Sequence, residues 1–299
     1  MVVFLPKIYI FALILSMTMD FIADILQYRY LSNAVIACLL SGITCGIIGT
    51  YIVARRMVFL CGGITHASFG GLGIAFYLGA NPILCATIFA VLSALGIEWS
   101  NSRSKIRPDS AIGMVWGIGM AIGALFISLR PGYTSGDMAN FLFGSILTVT
   151  NGDIIALAIL SIALIAGAIL WHRPIMFTAF DRNFAEASGV PTRAISYAMA
   201  VITALTIVLS IRTMGIVLLI SLLTMPVVTA NLLFKNYKQI APAAVAIAII
   251  GGVLGIALSY HAEVPSGPAI IFVLTMLFVT IKLLTLWVKH SKRTKTKSA

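Results

Sequence analysis

Apolar residues in this chain run for nearly a bilayer's thickness at a time, break briefly, and run again. The stretches 34–54, 154–171, 216–234, 243–260 and 269–288 each approach the roughly 20 residues that carry a helix across about 30 Å of hydrocarbon. Together with shorter runs, the pattern predicts nine spans, over 32–54, 58–79, 82–98, 110–128, 152–171, 193–211, 214–233, 242–260 and 268–288. The expected fold class is an all-α polytopic membrane protein of about nine transmembrane helices, with eight to ten as the range. No stretch longer than about 25 residues is polar enough to fold outside the membrane. The chain therefore reads as one membrane domain over 31–288, preceded by an apolar segment over 1–30 and followed by a basic tail over 289–299.

The run from Phe4 to Met19 carries Lys7 and reads three ways. It is a tenth helix, a cleaved leader without the usual small-residue cleavage site, or an over-extended start with Met17 or Met19 as the true beginning.

Basic residues orient the rest, because lysine and arginine are retained in cytoplasmic loops. With the tail inside, alternation puts Arg55, Arg56, the 103–107 loop, the 173–193 loop, Lys235 and Lys238 inside as well, 15 of the 20 basic residues in all. Arg29, Arg130 and Arg212 fall outside, and Lys282 near the last span's inner end reads as a snorkelling side chain.

Composition agrees with lipid as the solvent: 60% of residues are hydrophobic and 10% charged, with a mean hydropathy of +1.06. A water-soluble surface needs far more charge. The net charge of +11 does not point to nucleic acid, since the basic residues are scattered over short loops and the tail rather than gathered on one soluble face. Cys38, Cys45, Cys61 and Cys85 lie in or beside apolar runs without a CxxC pair, which suggests packing rather than a disulfide or zinc-thiolate site. There is no GxxxxGK[ST], HExxH or GxSxG, so the chain is not expected to be an enzyme, and any ATP hydrolysis belongs to a separate subunit.

Two segments carry candidate chemistry. From Leu60 to Gly73 the chain reads LCGGITHASFGGLG, a histidine among glycines inside a span. On a helix Gly62, His66, Gly70 and Gly73 share one face, on which His66 is the bulky polar group. An ionisable residue within a span commonly faces a pathway, and imidazole is a frequent transition-metal ligand. The same residues also suit a close-packed helix with a hydrogen-bonded histidine. Small-residue stripes at Ser41, Gly42, Cys45, Gly46 and Gly49, at Gly113 and Gly117, and at Gly251 and Gly255 read as helix packing. The second segment, FDRNFAEASGVPTR from Phe180 to Arg193, suggests a short helix on the inner face, with Asp181 near its start and Gly189 as its stop. It either docks into a partner or is a solvated connector.

Other polar residues have simpler readings. Asp109 and Asp153 suit helix starts, and Asp137 a solvated outer loop. His261 and Glu263 sit in a predicted outer loop beside the mouth of any pathway, while Thr65 and Ser68 suit backbone hydrogen bonds.

From about Gln27 to Leu286 the chain resembles the permease subunits of the zinc, manganese and iron type of bacterial ABC importers. The matching pieces are VARRM at 53–57, GGITHAS at 62–68, DSAIG at 109–113, FLFGSIL at 141–147, AFDRNFA at 179–185, ASG at 187–189 and PSGPAI at 265–270. A more distant likeness to cobalamin and siderophore permeases runs through the loop around Gly189 and the stretch 215–231. The resemblance implies a cobalamin-permease-like membrane domain in the bacterial inner membrane, forming a homodimer around a central pathway. It implies two ATPase subunits below and an extracytoplasmic metal-binding protein above. The transported divalent metal ion is cargo, with no permanently bound cofactor. Phe180, Asp181, Phe184, Ala185, Glu186 and Gly189 would belong to the helix that couples to the ATPase. His66 would match the family's intramembrane metal ligand, with Gly62, Gly70 and Gly73 along the pathway. Many relatives carry an aspartate four residues before that histidine, where this chain has Gly62. A metal held by His66 therefore needs another ligand, or the His66 of a second subunit, or only brief residence. The alternatives are a permease for a metal chelate and a secondary metal transporter.

Overall fold

The computed structural model describes residues 21–103, 106–129 and 146–297. The run from Phe4 to Met19, Arg130, Asp137, most of the 141–147 motif and the tail's basic side chains lie outside the described residues. The helices are α1 (Arg29–Ala54), α2 (Val58–Leu78), α3 (Pro82–Arg103), α4 (Pro108–Ser128), α5 (Asn151–Leu170), α6 (His172–Phe180), α7 (Arg182–Ala187), α8 (Thr192–Met214), α9 (Ile216–Leu233), α10 (Tyr237–Ala262) and α11 (Ser266–Lys297). Among the described residues all but α6 and α7 are long and apolar enough to cross a bilayer, nine helices in total, and no strand occurs.

The turns follow from local chemistry. Gly79 takes a left-handed conformation (φ 66°) that ends α2, and the Asn81 side chain then accepts the backbone N–H groups of Ile83 and Leu84 at 3.0 and 3.3 Å, with Pro82 opening α3. Thr150 and Asp153 close a reciprocal capping box on α5. At Gly215 the backbone is at φ 77°, ψ 170°, a region denied to residues with a Cβ, and this one residue separates α8 from α9. The expected spans 193–211 and 214–233 therefore meet at residue 215. The span expected from 242 begins at Tyr237, because Pro242 removes one intrahelical bond without ending the helix.

The two helices at the centre are α1 and α2, with 67% and 72% of their most apolar stretches buried inside the molecule, against 17% for α11 and 22% for α5. Around α2 lie α3 and α4, and around α1 lie α5, α9 and α10. The small-residue stripe of α1 explains its centrality: a Cβ on Gly42, Gly46 or Gly49 would press on Ile249, Val245 and Leu223 of the neighbouring helices. In lipid, where apolar burial gives no net drive, such close approach is what brings helices together. Outward positions such as Ile155, Ile159, Ile162, Leu283 and Leu284 are exposed on the single chain, as lipid-facing residues are. All four cysteines are free, and Cys38, Cys45 and Cys61 are buried in the packing.

Candidate functional site

His66 lies on α2, half-buried, its ring stacked on Trp116 of α4 at 4.3 Å between centroids and 5° from parallel. Its Nδ1 is enclosed and has no hydrogen-bond partner among the described residues. One turn earlier is Gly62, where an added Cβ would meet the Trp116 ring at 3.7 Å. The indole thus covers the space above Gly62 as well as the face of the imidazole. Gly70 and Gly73 share the α2 stripe but are buried: the carbonyls of Gly119 and Gly123 of α4 sit against them. In the single chain their role is the α2–α4 crossing, the most extensive helix contact among the described residues. Ser68 donates to the Thr65 carbonyl at 2.6 Å, whereas the buried Thr65 hydroxyl has no partner among the described residues.

No group of three or more His, Cys, Asp and Glu side chains converges among the described residues. His261 packs against Tyr260 and Phe21, and Glu263 ends α10 in a left-handed conformation, so neither joins His66. A cavity of about 910 Å³ lies between α1, α5, α6 and α10, and its largely apolar walls carry His172 beside the cations Arg173 and Lys238, with no carboxylate or thiol.

The inner-face stretch carries two short helices, α6 and then α7. Phe180 ends α6, the backbone breaks at Asp181, and α7 follows. The short helix expected between Asp181 and Gly189 is thus α7, started by the Asp181 side chain, which accepts the Phe184 N–H at 3.0 Å, while Phe180 closes the separate helix α6. At the other end Gly189 is left-handed (φ 77°), and the N–H groups of Gly189 and Val190 return to the carbonyls of Glu186 and Ala185. Ala185 is buried, while Phe180 and Phe184 are 66% and 54% exposed. The Glu186 carboxylate accepts the Thr192 hydroxyl at 2.7 Å and Arg182 Nε at 3.2 Å, and these two bonds, the Thr192 one foremost, hold its carboxyl below the usual range.

The structure also assembles a charge cluster that hydropathy hides. Glu98 lies inside the apolar run of α3, and its side chain is 6% exposed. Arg55, just after α1, reaches one carboxylate oxygen at 3.2 Å and the Tyr51 hydroxyl at 2.9 Å. Arg182 of α7 approaches the other oxygen at 3.8 Å. The available signal was Glu98 itself, a lone carboxylate within a span. At the opposite end of the bundle Asp153 binds Arg212 Nε at 3.0 Å.

A family model described as the ABC 3 transport family matches residues 27–285. The chain belongs to that family. Members of it similar to this chain include the manganese transport system membrane protein MntC of Halalkalibacterium halodurans, 33% identical over 86% of this chain and 88% of the relative. The MntC protein of Listeria monocytogenes is 31% identical over 87% and 92%. Among solved structures, PsaBC from Streptococcus pneumoniae in complex with Fab aligns with a TM-score of 0.77 and 27% identity, covering 88% of this chain and 95% of that one. An inward-facing ABC transporter assigned to the metal-chelate type aligns at a TM-score of 0.67 and 16% identity, which speaks for the fold alone. As an ABC 3 family permease the chain is a multi-pass membrane component of a transporter rather than an enzyme.

Proposed function

We propose that this chain is the membrane-spanning permease of an ATP-driven importer for a divalent transition-metal ion, with manganese and zinc as the leading cargoes and ferrous iron third. The observation that carries the reading is the similarity to manganese-system membrane proteins over nearly the whole chain, together with an imidazole on a central helix. His66 is the ligand met in transit, and Gly62 beside it leaves the path without a carboxylate. Gly70 and Gly73 act behind them by fixing α2 on α4. A single imidazole per chain holds an ion briefly, which suits conduction, since the ion must leave as readily as it enters. Two copies around a shared path would supply two imidazoles. The segment with Phe180, Asp181, Phe184, Ala185, Glu186 and Gly189 docks the ATPase, Phe180 and Phe184 offering an apolar knob on a charged surface. An extracytoplasmic binding protein delivers the ion.

The test is uptake of radiolabelled manganese and zinc into proteoliposomes holding this chain, its ATPase and its binding protein. ATP-dependent accumulation of one ion is expected, with His66→Ala lowering it by at least about tenfold, the worth of one ordinary ligand contact. Transport by His66→Ala at the wild-type rate would remove His66 from the path. Movement of neither free ion would favour a chelated cargo, for which Gly62 and the absence of a multi-ligand cluster among the described residues leave room.

A further inference from the structure

Among the described residues Glu98 is the one buried carboxylate at the end of the bundle that holds α7. It stands where three parts of the chain meet: α3 through its own backbone, the α1–α2 turn through Arg55, and α7 through Arg182. The turn from Arg55 to Met57 is rigidly built. Arg56 is left-handed (φ 56°), and the N–H groups of Arg55, Arg56 and Met57 all return to carbonyls of α1. What moves Arg55 therefore moves the start of α2, the helix that carries His66. Within its own neighbourhood α7 packs on α6 and α8. Its charged tie to α3 is Arg182, and through Glu98 that tie reaches Arg55 in the α1–α2 turn.

The two halves of the cluster differ. Arg55 hydrogen-bonds one Glu98 oxygen at 3.2 Å, whereas the other oxygen is enclosed, accepts no hydrogen bond among the described residues, and has Arg182 at 3.8 Å. Charge-assisted bonds close at about 2.7–2.9 Å, so a displacement of α7 by about 1 Å turns a loose ion pair into a hydrogen-bonded one. A signal passes between two sites only through an element whose interactions differ between its two states. This contact has that property, and Arg182 has a second acceptor to exchange with, Glu186 at 3.2 Å.

We infer that Glu98 is the positioning residue that passes movement of α7 to α2, with Arg182 as the mobile partner and Arg55 as the fixed one. This rests on the reading of the α7 segment as the ATPase dock. In the same three-component proteoliposomes the quantity to measure is metal taken up per ATP hydrolysed. Glu98→Gln keeps the shape but loses the charge, and it is expected to lower that ratio by about tenfold, within the usual range of coupling between sites. Glu98→Asp should recover part of it. Arg182→Gln, on a partly exposed side chain whose loss leaves the Arg55–Glu98 pair in place, should lower the ratio similarly and serves where Glu98→Gln does not fold. An unchanged ratio in either folded variant overturns the inference. The docking premise is tested separately by Phe184→Asp, which should abolish co-purification with the ATPase. Retained co-purification there defeats the docking premise and the inference resting on it, whereas an unchanged ratio beside lost co-purification defeats the role of Glu98 alone.

Discussion

The stack of His66 on Trp116 gives position 62 a meaning beyond a missing ligand. A side chain there must share room with the indole, since even a Cβ comes into van der Waals contact with it. Gly62→Asp alone is therefore expected to disturb the stack without building a good site. Gly62→Asp combined with Trp116→Ala should place carboxylate and imidazole one turn apart and tighten manganese binding by roughly tenfold, read by retention of radiolabelled manganese on the purified protein. Equal retention by the single and double variants would mean that the indole does not hold that space.

At the crossing of α2 and α4, glycine faces glycine, and the backbones touch where side chains normally intervene. Gly123→Val would drive a branched side chain into the Phe69 carbonyl and ring. It is expected to cost about 1–3 kcal/mol, the usual penalty of overpacking, seen as a lower unfolding temperature in detergent. Gly113→Ala and Gly117→Ala on the same helix are the controls: a Cβ there meets nothing within 4 Å, and stability of the single chain should not change. The sequence gives all these glycines the same look. Periodicity shows which positions share a face of their own helix, so the α2 stripe and all nine spans were legible, but it says nothing about what lies across from that face. Trp116 and Glu98 went unread for this reason, as did the covering of Gly70 and Gly73, because their partners come from distant parts of the chain. The start at Asp181 and the stop at Gly189 were legible because capping is local, whereas the separate helix α6 that Phe180 closes was not.

Across the whole bundle, contacts and surface agree on which ends belong together. Arg55, Glu98 and Arg182 meet at one end, Asp153 and Arg212 at the other, as strict alternation of the spans requires. Trp99, Trp171 and Trp287, each more than half exposed, sit toward the ends of α3, α5 and α11 that alternation assigns to one side, as an interfacial aromatic belt would. With Cys85 replaced, a membrane-impermeant maleimide should label Asn81→Cys in intact cells and Ser188→Cys only after permeabilisation. The reverse pattern would invert the topology.

The pairing of Glu98 with Arg182 also bears on how the chain is made. Synthesis and insertion run from the N-terminus, so each buried acid enters the membrane before one of its arginines exists: Glu98 ahead of Arg182, Asp153 ahead of Arg212. Early in synthesis Glu98 has Arg55 alone, and Asp153 has its own cap at Thr150. The emergence of α7 and α8 completes both, so a nascent chain stopped short of residue 182 leaves carboxylates in lipid half-partnered, a condition lipid penalises. The arginines that tie the bundle together at its two ends thus also complete the partners of acids inserted before them.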